Sequence, residues 1–126
     1  MPNPKELVWV ASSLKDLRAF PEEVRQVMGF ALYIAQCGGK HVSAKPLRGY
    51  GGSGVLEVVD DYRGDTYRTI YTVRFSDAVY VLHAFQKKAK RGAATPRHDI
   101  DLINARLKIT RRIHAERAGS QKGGSQ

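Results

Sequence analysis

The chain has 126 residues, 42% of them hydrophobic and 26% charged, enough for a core without disulfide or metal staples, and its one cysteine, Cys37, excludes an internal disulfide. No stretch approaches membrane-spanning length and no basic segment leads into an N-terminal apolar run, so a cytoplasmic protein is expected, neither secreted nor membrane-embedded. The formal net charge of +9 is polarised: residues 1–62 carry seven Lys/Arg against seven Asp/Glu, and residues 63–126 carry fourteen against five. A basic half of this kind suits a phosphate polymer or an acidic protein partner, and a solvated helix face with a basic tail is the plainer account.

Leu7 to Val10 reads as a first strand, and Ser12 or Ser13 as the N-cap of a short helix with Leu14 and Leu17 on one face. Pro21, followed by Glu22 and Glu23, opens a second helix, where the carboxylates meet the positive end of the helix dipole. Val24, Val27, Met28, Ala31, Ile34 and Ala35 keep the helical period until Gly38-Gly39 ends it, which makes this stripe core material. Residues 40–53 read as a loop; their glycines lack the Gly-Lys-Ser/Thr and the following helix of a phosphate-binding loop. Gly54 to Asp60 is the next strand, with Val55, Glu57 and Val59 on one face, and Asp61 to Asp65 makes a turn around Gly64.

Two strands then dominate the chain, Thr66 to Phe75 and Val79 to Phe85, joined at Ser76-Asp77 and leading into Lys87, Lys88, Lys90 and Arg91. Alternation puts Arg68, Ile70, Thr72 and Arg74 on one face, and Tyr67, Thr69, Tyr71, Val73 and Phe75 on the other, more apolar one. Thr95-Pro96 is an N-cap and first-turn pair for a last helix to about Arg117, with Ile100, Ile103 and Leu107 as its apolar stripe. Residues 1–118 are expected to form one domain and 119–126 a disordered polar tail. The order β-α-α-β-β-β-α implies an α+β fold, a small antiparallel sheet with helices packed on one face and Arg68 and Arg74 on the open one.

A family resemblance rests on motifs spread along most of the chain. They are Trp9 with Ser12-Ser13-Leu14-Lys15-Asp16-Leu17, Phe20-Pro21-Glu22-Glu23-Val24-Arg25, Gly38-Gly39-Lys40-His41 and Ala44-Lys45-Pro46-Leu47. Val55-Leu56-Glu57, Tyr67-Arg68-Thr69-Ile70-Tyr71, Val81-Leu82-His83-Ala84-Phe85-Gln86-Lys87-Lys88 and Ala94-Thr95-Pro96 continue the series to about Lys108. The whole resembles the RelE/ParE/HigB toxin superfamily, in its phage-derived, HigB-like branch. The resemblance implies an mRNA-cleaving toxin acting on mRNA, on or off the ribosome, and a cognate antitoxin, usually a helix-turn-helix protein. Ribosome-dependent founding members carry lysines on the strand where this chain has Glu57, so a mechanism needing cations there does not transfer. The superfamily also includes gyrase-directed toxins, which leaves a gyrase inhibitor or a non-catalytic nucleic-acid-binding module as the alternative.

Metal-free RNA cleavage needs a base for the 2′-hydroxyl, an acid for the departing 5′-oxygen and cations for the charge developing on phosphorus. Arg68 suits the phosphate clamp and matches the position the family uses; an ion pair with Glu57 or Asp65 is its structural alternative. Its replacement by alanine is expected to abolish activity with the fold intact. His83 suits proton transfer or a hydrogen-bonded place in the core beside Val81 and Phe85. Lys87 and Lys88 alternate to opposite faces, Lys87 with the parity of His83, and serve as proton carrier or phosphate ligand. Glu57 is a weaker base on an electropositive face, and Arg74, Lys90 and Arg91 suit RNA binding. His41, His98, His114 and Cys37 have no metal-ligand spacing, so neither a metal nor a cofactor is expected. Tyr50, Tyr62 and Tyr80 suit base stacking and packing alike.

Overall fold

The computed structural model describes residues 3–52, 54–87 and 95–124, the last four by backbone only. Strands β1 (Glu6–Trp9), β2 (Ala44–Pro46), β3 (Val55–Tyr62), β4 (Asp65–Thr72) and β5 (Ala78–Lys87) form one sheet in the order β1-β5-β4-β3-β2. Helices α1 (Ser13–Arg18) and α2 (Glu22–Gln36) follow β1, and α3 (Arg97–Gly124) follows β5. The fold is α+β, as the element order implies, and mostly antiparallel; β1 pairs in parallel with β5. The loop expected over residues 40–53 contains the short edge strand β2, and α3 continues through Gly119 to Gly124, where a disordered tail was expected.

Backbone chemistry fixes the central meander. Arg63 and Gly64, with φ of 50° and 84°, are both left-handed, the requirement of a two-residue type I′ hairpin, and they join Tyr62 to its cross-strand partner Asp65. Strand β4 is buried along almost its whole length because both of its faces are covered. On one face α1 and α2 pack Leu17, Phe20, Val24, Met28, Ala31 and Leu32 against Tyr67, Tyr71, Val79, Val81 and Ala84. On the other, α3 lays Ile103 and Leu107 over Val55, Ile70, Tyr80 and Leu82, with Val10 and Leu47.

That second face is the one expected to be open. The correction has a simple cause: the face is not polar throughout. Ile70, Val55, Tyr80 and Leu82 make an apolar centre that demands a cover, and burying each such side chain contributes about 1.5–3 kcal/mol. The polar residues of the same face are therefore roofed along with them.

A bulge in β5 sets what they face. Ile70 pairs with His83 and Tyr71 with Val81, so Leu82 is the extra residue between them. Leu82 and His83 both join the α3 side, and Val81 turns to the α2 side, away from the His83 face on which strict alternation places it.

Candidate functional site

Three consecutive cross-strand rows under α3 hold the sequence candidates. Glu57, Ile70 and His83 form the first row, Val59, Arg68 and Phe85 the second, Asp61, Thr66 and Lys87 the third. Directly opposed residues of antiparallel strands share a face, so the register alone brings Glu57, Arg68, His83 and Lys87 to one surface. All four are sealed, at 5%, 5%, 5% and 6% exposure. Strand β4 ends at Thr72, so Arg74 lies beyond it, and the four strand residues after Arg68 already span about 13 Å. Arg74 is thus not part of this group. Lys88, Lys90 and Arg91 lie outside the described residues.

Of the two roles open to Arg68, the ion pair is present: its Nη1 donates to Glu57 Oε2 at 2.8 Å, a diagonal contact between neighbouring rows. Lys45, registered opposite Glu57 on β2, approaches the other carboxylate oxygen at 3.6 Å from an exposed position. The Nε of Arg68 is buried and has no hydrogen-bond partner. Ser13 Oγ, Thr69 Oγ1 and Tyr71 OH are buried without a partner as well, and of these four atoms only the Arg68 Nε belongs to a charged group. Burial and the nearby Arg68 charge push the Lys87 amine below the ordinary lysine value, against the smaller pull of Glu57 and Asp99.

His83 is held from α3 on both ring nitrogens. Its Nε2 is 2.7 Å from Asp99 Oδ1, and its Nδ1 is 3.1 Å from Arg106 Nη1. A guanidinium only donates, so Nδ1 accepts and the proton sits on Nε2, donated to the carboxylate. The ring also stacks on Phe85, with centroids 5.0 Å apart. Arg106 is itself fully engaged: Nη1 donates to Leu82 O at 2.9 Å and Nη2 to Ser12 Oγ at 3.0 Å, and Ser12 donates to Asp16 at 2.8 Å. Ser12 occupies the N-cap position of α1 but spends its hydroxyl on this chain rather than on a capping bond.

Asp99 and Arg106, which hold His83, are the side chains of this group that the sequence did not single out. The signal for Arg106 is positional. It falls between Ile103 and Leu107 on the buried line of α3, where a cation must find acceptors. Asp99 lies in the first turn of α3, where an acid looks like a mere dipole partner. The tyrosines divide: Tyr80 is buried and donates to Asp77, Tyr62 carries the Arg63 guanidinium over its ring, and Tyr50 donates to Asn104 at the surface. Among the described residues, no group of three or more His, Cys, Asp or Glu side chains is placed to hold a metal ion.

A family model for phage-derived Gp49-like proteins (DUF891) matches residues 15–108, from within α1 to the middle of α3, and takes in Glu57, Arg68, His83, Lys87, Asp99 and Arg106. Among solved structures, a chain of the toxin–antitoxin complex RelBE2 from Mycobacterium tuberculosis is similar at 19% identity and a TM-score of 0.42, covering 71% of this chain and 98% of that one. No curated protein matches.

Proposed function

Because the chain belongs to the family of phage-derived Gp49-like proteins, and because a sealed guanidinium there keeps an unspent donor, we propose that it is a toxin that cleaves RNA without a metal ion. The observation that carries this reading is Arg68, fixed by Glu57 at 2.8 Å with its Nε unpartnered and Lys87 in the next row. A phosphodiester oxygen is the acceptor such a donor suits, since the guanidinium fork stays charged at any physiological pH. The toxin role and its antitoxin rest on the RelE/ParE/HigB resemblance and on the basic second half of the chain.

The chemistry divides among residues already in place. The 2′-hydroxyl gives its proton to His83 Nδ1, the nitrogen whose lone pair Arg106 now occupies, and Asp99 stabilises the imidazolium through Nε2–H. The 2′-oxygen bonds to phosphorus, the bond from phosphorus to the 5′-oxygen breaks, and a 2′,3′-cyclic phosphate is left. Arg68 meets the charge on the phosphoryl oxygens. Lys87, whose amine loses its proton more readily than an exposed lysine, protonates the departing 5′-oxygen. Glu57 orients Arg68 rather than acting as base. Since Arg106 occupies Nδ1, that nitrogen becomes free for the 2′-hydroxyl when the Arg106 guanidinium swings away, with Asp99 kept on Nε2.

The test is end-mapping of transcripts after brief induction, in cells and with purified protein in excess chelator. Fragments ending in 2′,3′-cyclic or 3′-phosphate are expected. Intact RNA with a DNA-damage response instead assigns the protein to the gyrase-directed alternative.

A further inference from the structure

A second cationic feature lies on α3, away from the Arg68 rows. A cleft of about 340 Å³ is lined by Tyr50, Arg74, Asn104, Leu107, Lys108 and Arg111. Three of these six are cations and none is an acid. Asn104, Lys108 and Arg111 follow one another at helical spacing on the exposed side of α3, and Leu107 is the buried floor. The facing wall is the loop before β3. Tyr50 ties it to the helix through its hydroxyl, which donates to Asn104 Oδ1 at 2.6 Å. Gly54, at φ of 84°, sets Arg74 in place: its carbonyl accepts from Val73 N and Thr72 Oγ1, and a β-carbon there would stand 3.3 Å from Arg74 N.

The cations of α3 fall into two classes. Arg97 pairs with Asp101, Arg106 with the His83 chain, and Arg117 with Asp77 and Glu6. Lys108, Arg111 and Arg112, by contrast, form no ion pair among the described residues, and the first two sit together in a concave site beside Arg74. Like charges gathered in a hollow repel one another, and the lining gives Lys108 and Arg111 an aromatic wall rather than a carboxylate. That combination matches one ligand chemistry closely: phosphate oxygens for the cations and a flat base for the ring.

We propose that the cleft formed by Tyr50, Arg74, Lys108 and Arg111 binds a nucleotide of single-stranded RNA, with its phosphates on the cations and its base against Tyr50. The cleft lies beyond the far end of β4 from Lys87, so it holds the strand at a distance from the bond to be cut. A volume of this size takes about one nucleotide. A duplex does not suit it, because paired bases present no free face to Tyr50. The inference rests on RNA being the target, and it assigns the cleft to binding and the Arg68 rows to cleavage.

The experiment titrates the whole protein into a fluorescein-labelled 2′-O-methyl oligonucleotide of about twelve nucleotides, which binds but lacks the attacking hydroxyl, across a salt series. Lys108→Gln with Arg111→Gln is expected to weaken binding at least about tenfold and to flatten the log–log salt slope by about 1.4, at about 0.7 per phosphate contact. Tyr50→Leu is expected to weaken binding with the slope unchanged, since stacking releases no counterions. Unchanged affinity and slope in the double variant overturns the inference, as does a poly-glutamate peptide bound more tightly than the oligonucleotide, which assigns the cleft to an acidic protein. Cleavage of unmodified RNA is followed in parallel. Wild-type protein that binds through the cleft but never cuts refutes the nuclease reading alone. Protein that cuts while the cleft variants bind normally refutes the cleft alone.

Discussion

Arg68→Ala is the natural test of the clamp, and the structure changes what it should do. Both partners of the Arg68–Glu57 pair are 5% exposed and 2.8 Å apart, so the substitution leaves a sealed carboxylate with only Lys45, 3.6 Å away at the surface, and the charge of Lys87 to offset it. Removing one half of a buried pair costs about 3–5 kcal/mol because the other charge stays desolvated. A domain of this size holds about 5–15 kcal/mol in all, and each kcal/mol lost lowers Tm by about 4 °C. The expected fall is therefore about 12–20 °C, and the expectation that the fold survives intact gives way. Arg68→Gln combined with Glu57→Gln removes both charges and keeps a neutral hydrogen bond, so its Tm should return to within about 5 °C of wild type. Cleavage should not return: loss of the clamp costs about 10²–10³ in rate. Thermal melts and single-turnover cleavage on wild type, Arg68→Gln, Glu57→Gln and the double variant form a complete cycle, with Arg68→Ala measured beside it. A double variant that is stable and cuts at the wild-type rate would sink the clamp, and an Arg68→Ala protein as stable as wild type would show that water reaches the pair.

Burial pushes the Asp77 carboxyl up, but the hydrogen bonds from Tyr80 and His114 and the His114 charge outweigh it and hold it below the ordinary carboxylate value. The stability it contributes is thus complete above about pH 3.9 and lost as pH falls through the lower folded-state value, so amide exchange in α3 near His114 and Arg117 should rise in that acid window, and Asp77→Asn should abolish the step. Gly54→Ala, at a left-handed φ of 84° and against the Arg74 backbone, should cost about 1–2 kcal/mol in denaturant unfolding; no loss would mean that the loop relaxes freely. Asp99→Asn should lower kcat for the proposed RNA cleavage with KM little changed, because in that chemistry the carboxylate holds and charge-balances His83, and a change confined to KM would place it in binding instead.

Much of the fold is legible because β-strand parity is a local property. Alternation alone puts Arg68, Ile70 and Thr72 on one side of β4 and Tyr67 and Tyr71 on the other, and the observed cores divide them in that way, with Arg68 and Ile70 under α3 and the tyrosines under α2. The bulge is not legible. In Val79-Tyr80-Val81-Leu82 every residue is apolar, so inserting one leaves no break in the pattern, yet it turns Val81 away from His83 and sets Leu82 beside it. The place of α3 is hidden for a different reason. Its buried line mixes Ile103 and Leu107 with Arg106 and Thr110, which look like surface residues until the sheet supplies acceptors for them. Membership of the site was therefore half visible: the strand residues follow from register, and their helical partners depend on contacts distant in sequence.

Those distant contacts divide the labour on α3. Ile103 and Leu107 attach the helix to the sheet, and their burial contributes about 1.5–3 kcal/mol each without regard to where along its axis the helix sits. The polar residues decide the position. Arg106 reaches the Leu82 carbonyl, His83 and Ser12 at once, Asp99 reaches His83 about two turns earlier, and His114 and Arg117 close on Asp77 at the other end. A slip of one helical turn, about 5.4 Å, would keep an apolar residue near the sheet but strand the Arg106 guanidinium without acceptors, which costs more than the apolar contacts distinguish. The same residues that would run the chemistry therefore also fix the register of the helix above them. Freeing His83 Nδ1 for the proposed chemistry would break one of the bonds that set the helix position, so a partner that grips α3 would act on both.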